Sequence, residues 1–242
     1  LGLDMVIWLP LAGLVPALVA LVLAPLAARV RGLYLAILTL GLVFIGEHIF
    51  KEAKPITGGA GVGRAPAEPV FLGFDLFSNQ TILGYRIDRF TIFYIACLVI
   101  FLLLAFAARN LVRSRFVRSF SAVRDRDVAA EVMGVSLLKT KTLAFTISSF
   151  YAGISGALLS IVIGRISPET WNIFLSIDFL AVVFIGGLAT ITGSIMGAIF
   201  VVMLPKLVNT LTVFIPGAGG VGDGSLLNVF ELQSIIFGLL II

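Results

Sequence analysis

Nineteen residues without a charged side chain, Phe90 to Ala108, lie between Arg89 and Arg109. An α-helix of about twenty apolar residues is long enough to cross the hydrocarbon core of a bilayer. The whole chain of 242 residues is 60% hydrophobic and only 12% charged, whereas a soluble domain carries about 25% charged residues. The sequence therefore predicts an all-α, polytopic transmembrane helical bundle, organised as a single membrane domain over residues 1–242.

Other apolar runs are predicted to form further membrane helices. They are Met5–Ala28, Gly32–Phe50, Thr142–Ile163 and Ile173–Leu204. The first contains three prolines, which kink or break membrane helices. The last exceeds thirty residues and is interrupted at Gly186-Gly187 and Gly193-Ser194, so we expect a broken or re-entrant helix there. A Pro/Gly-rich loop over 205–230 and the start of another span at 231 are expected to follow. Both ends of the chain are expected to be truncated.

The distribution of arginine and lysine predicts the orientation of the loops. Residues 109–141 carry eight basic and three acidic side chains, whereas residues 51–89 carry five basic and four acidic ones. Loops rich in arginine and lysine stay in the cytoplasm. We therefore expect loop 109–141 to be cytoplasmic, and residues 51–88 and 164–172 to lie outside.

Within loop 109–141, the segment from Ser121 to Val135 has helical periodicity. Val128, Val132 and Val135 recur at i, i+4 and i+7, Ala129 and Met133 lie beside them, and charged residues cover the other side. Gly134 can end such a helix. We expect a short amphipathic helix that docks on the membrane surface, on the rest of the chain or on a partner protein.

Three groups of motifs resemble one family. The first is Ala129-Ala130-Glu131-Val132-Met133-Gly134-Val135, followed by Lys141 to Phe145 and Ala152 to Ala157. The second is Arg31 to Gly41, then Gly46-Glu47 and Thr57-Gly58-Gly59. The third is Ser167-Pro168, Phe174, Ser176, Gly186-Gly187-Leu188, Thr190, Gly193 and Gly197-Ala198. Together they resemble the branched-chain amino acid permeases of ABC importers, of the LivH/LivM type. Ala189 stands where that family usually has glycine, and Ser194 where it often has proline.

The resemblance implies a transport subunit, not an enzyme, that binds no cofactor and lies in a bacterial cytoplasmic (inner) membrane. Two ABC ATPase subunits would bind ATP and Mg²⁺, an extracytoplasmic solute-binding protein would deliver leucine, isoleucine or valine, and a second homologous permease subunit would complete the pathway. No nucleic acid partner is implied. The chain contains no G-x-x-x-x-G-K-S/T phosphate loop, so ATP hydrolysis is assigned to a partner.

Candidate residues follow from the resemblance and the residue types. The short cytoplasmic helix would couple to the ATPase through apolar anchors and a polar rim; its residues are Arg124, Asp125, Val128, Ala129, Glu131, Val132, Met133 and Gly134. Candidate pathway residues are Thr57, Gly58, Gly59, Asp178, Gly186, Gly187 and Gly193. Small residues spaced for close helix packing are Gly153, Gly156, Ala157, Gly193 and Gly197. One cysteine and one histidine predict no metal site.

Three alternatives remain open on the sequence alone. An ABC permease for urea or short amides fits the same motifs. An ion-driven secondary transporter requires intramembrane acids, for which Asp178 is the fair candidate. A membrane-embedded enzyme requires clustered acids, histidines or cysteines, and the chain has scattered acids and one histidine. The last two do not explain the amphipathic cytoplasmic segment.

Overall fold

The computed structural model describes residues 4–28, 30, 33–59, 61, 63–71, 73–76, 78, 80–82 and 85–214. This part of the chain is mostly helical, with four short strands in one loop region, which confirms the predicted all-α membrane fold. The chain divides into two compact units, Leu1–Trp171 and Asn172–Ile242. Each unit is described by itself below.

The first unit holds seven α-helices, one 3₁₀ turn and two β-hairpins among its described residues. The helices are α1 (Met5–Ala28), α2 (Leu33–Glu52), α3 (Lys54–Thr57), α4 (Arg89–Val112), α5 (Arg115–Asp125), α6 (Asp127–Val132) and α7 (Leu137–Ile163), and the 3₁₀ turn is Pro168–Thr170. The strands are β1 (Val70–Phe71), β2 (Phe74–Asp75), β3 (Gln80–Ile82) and β4 (Tyr85–Ile87). They pair antiparallel as β1–β2 and β3–β4.

Four helical stretches of the described chain are long and apolar enough to cross a membrane: α1, α4, α7 and Pro168–Gly186. Helix α1 has the bounds predicted from the sequence and continues through Pro10, Pro16 and Pro25 without a break. Helix α2 has 20 residues and is therefore about 30 Å long, but it is not one of these four stretches. Its charged side chains and its histidine lie in its last six residues. The composition of the chain thus translates into helices that match the thickness of a bilayer.

Helices α1 and α7 pack backbone against backbone. A Cβ atom added to Gly153 of α7 would collide with the Ala12 carbonyl oxygen and the Pro16 ring of α1. On the other side of the contact, a Cβ at Gly13 would lie 2.8 Å from the ring of Phe150. Small residues allow this approach, and dispersion contacts between close helices are what stabilise helix pairs in lipid.

The loop after α2 joins the loop after α7. The backbone N–H groups of Arg64 and Ile166 each donate to the carbonyl oxygen of the other residue at 2.8 Å. The Gly61 N–H donates to Glu169 Oε1 at 2.9 Å. The two loops that the charge pattern assigns to one side of the membrane are therefore in direct contact.

The second unit is a pair of packed helices, α8 (Ile173–Gly186) and α9 (Ile191–Phe214). The Asn172 side chain begins α8 by accepting from the Leu175 N–H at 3.2 Å. The break predicted at Gly186-Gly187 is present as the turn of residues 187–190. The predicted loop over 205–230 is wrong for residues 205–214, because α9 continues through Pro205 as far as Phe214. The residues from Lys206 to Phe214 contain no glycine that would favour a loop. The Thr210 hydroxyl donates to the Lys206 carbonyl oxygen, one turn earlier in the helix, at 2.9 Å. Residues 215–242, with the last predicted span, lie outside the described residues.

The contact between the two loops predicts a disulfide. Directly paired residues that exchange both backbone hydrogen bonds have Cα atoms about 5.5 Å apart, within the range that a disulfide spans. In a chain with Cys97→Ala, the pair Arg64→Cys and Ile166→Cys should cross-link under mild oxidation, visible as a mobility shift that a reductant reverses. Each single cysteine should give no such shift, and the absence of a cross-link in the double variant would contradict the bridge.

Candidate functional site

The polar segment predicted to be one short helix folds as two. Helix α5 ends at Asp125 and α6 begins at Asp127, with Arg126 between them in an extended conformation (φ −152°, ψ 99°). The Arg126 N–H closes α5 on the Ala122 carbonyl at 3.1 Å, and the Asp127 carboxylate accepts from the Val128 N–H at 2.9 Å. The prediction of one continuous helix through this segment is therefore wrong, because the aspartate offers the backbone a local alternative to continuing α5.

Gly134 ends α6 in the way its residue type predicts. Its φ is +86°, a left-handed conformation that glycine adopts without steric cost. The Val135 N–H bonds to the Ala130 carbonyl at 2.9 Å and the Gly134 N–H to the Glu131 carbonyl at 3.0 Å. These two bonds form a Schellman motif, so the direction in which the chain leaves α6 for α7 is fixed by hydrogen bonds.

Helix α6 turns one face inward and the opposite face outward. Ala130 is buried, at 3% exposure. Val128 and Val132, at i−2 and i+2 from it, lie on the far side of the helix. Val132 and Met133 are each 84% exposed and Val128 is 60% exposed, and Ala129 is exposed as well. All four residues proposed as apolar anchors therefore lie on the surface of the chain.

The proposed polar rim lies on both sides of the break. Arg124 Nε and Asp125 Oδ1 are 3.0 Å apart at the end of α5, and both side chains are exposed. Such a surface pair stabilises the fold by less than about 1 kcal/mol, so it contributes charge to the surface more than stability. Glu131 is on α6 itself and is also exposed.

The pathway candidates of the first unit form a hydrogen-bonded turn after α3. The Thr57 hydroxyl lies 2.7 Å from the Phe50 carbonyl oxygen and 3.1 Å from that of Ala53, and it accepts from the Gly59 N–H at 3.3 Å. Gly58 has a φ of +82° and Gly59 is buried. The Thr57 hydroxyl is therefore hydrogen-bonded to nearby backbone groups, and these bonds hold the shape of the turn.

The glycines of the second unit lie where α8 and α9 meet. A Cβ at Gly186 would collide with the Gly193 carbonyl oxygen, and one at Gly197 with the Val182 carbonyl oxygen. In the turn between the helices, the Thr190 hydroxyl accepts from the Gly193 N–H at 3.2 Å. The α8–α9 contact is thus built from backbone atoms of both helices.

Ala189 in this turn has a φ of +67°. A non-glycine residue in that left-handed region costs about 1–2 kcal/mol. The turn keeps its shape here without glycine.

Asp178 is the one ionisable side chain of α8, and it is exposed between Ile177 and Phe179, which are 51% and 56% exposed. Insertion scales put the cost of a charge at the centre of a membrane helix at about 2.5–3.5 kcal/mol. Its role in a pathway stays a prediction. Among the described residues, no group of three histidine, cysteine or acidic side chains could hold a metal ion.

The remaining packing candidates lie on α7. Gly153 meets α1 as described above, whereas Gly156 lies beside the ring of Trp171, where an added Cβ would be at an ordinary 3.6 Å. Ala157 is partly exposed. Sequence reasoning missed Gly13 and Ala130. Gly13 lies in a run with three prolines, and a single glycine there does not indicate a close helix contact. Ala130 is small and lies between Ala129 and Glu131, so nothing in the pattern marks it as the buried residue of α6.

Comparison with known proteins decides the family. The model of the family described as branched-chain amino acid transport system / permease component matches residues 1–242, the whole chain. The chain belongs to this family. It is a multi-pass membrane protein, and the family prediction made from the motifs is confirmed.

Individual relatives agree. The LivM proteins of Salmonella typhimurium and of Escherichia coli, both named as high-affinity branched-chain amino acid transport system permeases, are each 34% identical over 218 residues, which are 85% of this chain and 51% of theirs. The LivH protein of Methanocaldococcus jannaschii, named as a probable branched-chain amino acid transport permease, is 28% identical over 223 residues, 88% of this chain and 65% of that protein. The chain thus spans about half the length of the LivM proteins that it matches. No solved structure gives a match.

The α8–α9 contact predicts opposite outcomes for two glycine-to-alanine changes. Gly186→Ala forces α8 and α9 apart and should destabilise the protein by about 1–3 kcal/mol, as overpacking does. Gly41→Ala on α2 has nothing within 4 Å of the added atom and should be neutral or slightly stabilising, because alanine favours the helix. Thermal unfolding in detergent, followed by intrinsic tryptophan fluorescence, measures both; equal melting temperatures for the two variants would contradict the close contact.

Proposed function

We propose that this permease family member is the membrane-spanning subunit of an ABC importer and forms part of the pathway for leucine, isoleucine and valine. Family membership over the whole chain supports a transport role. The observation that carries the proposal is the exposed apolar face of α6, because Val128, Val132 and Met133 are held in water on a short helix, as the anchors of a docking surface are.

The energy for transport comes, in this proposal, from separate ATPase subunits that bind ATP and Mg²⁺. Val128, Val132 and Met133 enter a groove of the ATPase, and Ala129 allows close approach. Burial of a valine or methionine side chain is worth about 1.5–3 kcal/mol, so the apolar face provides binding energy. Arg124, Asp125 and Glu131 surround it and set the register of docking, as polar rims do.

The remaining components follow from the same proposal. A second homologous permease subunit encloses the pathway with this chain, and a solute-binding protein delivers substrate to the outer face. Loop 109–141 is placed in the cytoplasm, and the joined loops around Arg64 and Ile166 on the outer side. The excess of basic residues in loop 109–141 supports this orientation.

The pathway is proposed to run beside the second unit. The turn between α8 and α9 interrupts an apolar stretch, and helix interruptions of this kind present backbone polar groups at membrane depth in transporters. Asp178 supplies one carboxylate on the apolar helix α8. The amino group of the substrate is positively charged, opposite in charge to that carboxylate. Thr57, Gly58 and Gly59, in the loop of the first unit that is proposed to lie outside, stay separate candidate pathway residues.

The experiment that tests the function is ATP hydrolysis by the reconstituted complex with its binding protein. Leucine, isoleucine or valine should stimulate hydrolysis several-fold, while alanine should have little effect. Stimulation by urea alone would retain the importer class and replace the substrate with urea or a short amide. Absence of any ATPase from the purified complex would refute the importer assignment and favour ion-driven uptake, in which Asp178 is the first residue to test.

A second prediction concerns coupling. The variant Val132→Ser/Met133→Ser removes two apolar side chains, each 84% exposed, at the end of α6 and should weaken ATPase binding about tenfold or more, since a few buried apolar anchors dominate interfaces. Transport should fall with it. The measurement is the amount of ATPase retained on the immobilised permease, together with substrate uptake into vesicles.

The matched control is Leu138→Ser. Leu138 is also an exposed apolar residue, at 42% exposure, but it lies at the start of α7 rather than on α6. It should retain the ATPase and transport normally. If both variants behave like the unmodified chain while inserting in the membrane, the docking face has been misassigned.

A further inference from the structure

The junction between α4 and α5 carries an unusual concentration of positive charge. Residues 109–118 contain four arginines and no acid, and the next acidic residue along the chain is Asp125. Arg109, Arg113 and Arg118 have exposed side chains. None of these three makes an ion pair within the part of the chain that the structure describes. Three guanidinium groups at one junction therefore have no anion from this part of the protein.

The same junction is continuous with a surface suited to lipid. Val99, Leu102, Phe106, Arg109 and Arg113 recur at i, i+3, i+7, i+10 and i+14, and so follow one face of α4. The three apolar members are 49%, 55% and 64% exposed. This face thus changes along its length from exposed apolar side chains to exposed arginines. The same order, from hydrocarbon core to headgroups, is found in a bilayer from its centre to its surface.

Helix length places the arginines at the correct depth. Helix α4 has 24 residues and is about 36 Å long, whereas the hydrocarbon core of a bilayer is about 30 Å thick. The last turn of α4, which holds Arg109, therefore emerges among the headgroups. Only two residues, Arg113 and Ser114, separate α4 from α5, so the first turn of α5 lies at the same level.

The geometry of the junction is fixed by hydrogen bonds. The Ser114 hydroxyl donates to the Leu111 carbonyl at 2.6 Å, and the Ser114 N–H donates to the same carbonyl at 2.9 Å. Phe116, in the first turn of α5, is 50% exposed and Val112, at the end of α4, is 52% exposed. Exposed apolar residues among basic ones on a short helix are typical of segments that lie in the membrane interface.

We propose that the α4–α5 junction is a binding site for anionic phospholipid headgroups, with Arg109, Arg113 and Arg118 as the headgroup ligands and Val112 and Phe116 inserted at the acyl boundary. Guanidinium groups bind phosphate oxygens in pairs of parallel hydrogen bonds. The charge of the junction selects anionic over zwitterionic lipid, because each basic residue near the surface adds to the attraction. The site lies outside the α6 docking face and does not depend on which solute is transported.

The test uses the full chain in nanodiscs of equal parts phosphatidylglycerol and phosphatidylcholine, followed by detergent extraction and mass spectrometry of the phospholipids that remain bound. The unmodified chain should retain phosphatidylglycerol in excess. In Arg109→Gln/Arg113→Gln, affinity for phosphatidylglycerol should fall about fivefold for each charge removed, or about 25-fold in total. Raising the salt concentration should reduce the excess retained by the unmodified chain.

The matched control is Arg124→Gln/Arg126→Gln, which removes the same charge from the same loop beside Asp125 and Asp127. It should retain phosphatidylglycerol like the unmodified chain. Equal loss in both double variants would mean that net loop charge, not a site, attracts the lipid, and would overturn the proposal. Unchanged lipid retention in Arg109→Gln/Arg113→Gln with loss of bound ATPase would also overturn it and assign these arginines to the ATPase. Neither result depends on the substrate assay.

Discussion

The contact between α1 and α7 is the interaction on which the first unit depends. Lipid gives apolar side chains no reason to associate with one another, so helices in a membrane pair where their backbones come close or where hydrogen bonds join them. Gly13 and Gly153 provide that closeness, and Phe150 and Ile154 pack over Gly13. Helix α4 joins the pair through the Tyr151 hydroxyl, which donates to the Leu104 carbonyl at 3.2 Å.

Helix α7 runs from the loop that contains α6 to the loop that contains Ile166. Its first turn follows the Schellman motif of α6, and the Ser136 hydroxyl caps it by accepting from the Lys139 N–H at 3.5 Å. Its last residue leads through Gly164 to Ile166, which is bonded to Arg64. With 27 residues, α7 is about 40 Å long. One continuous helix therefore connects the loop that holds α6 with the loop that is hydrogen-bonded to Arg64.

The sequence was most informative where one physical constraint dominates. Apolar runs without charge have few alternatives to a spanning helix, so α1 and α4 agree closely with their predicted bounds, and paired glycines predicted the break before α9. Prediction failed where local and tertiary bonds compete. The break at Arg126 depends on the Asp127 carboxylate bonding to the next N–H, and Pro205 is accommodated inside α9. The exposure of Val128, Val132 and Met133 is what docking requires, but exposure alone identifies no partner.

The exposed face of α6 also bears on the life of the chain before assembly. Val132 and Met133 are 84% exposed, and apolar side chains held in water on an ordered helix are the feature by which chaperones and proteases distinguish incomplete assemblies from finished ones. A chain synthesised without its partners would present this face continuously. If, as proposed, an ATPase subunit covers α6, the steady-state amount of the chain in the cell would follow the supply of that subunit, because the uncovered excess would be degraded.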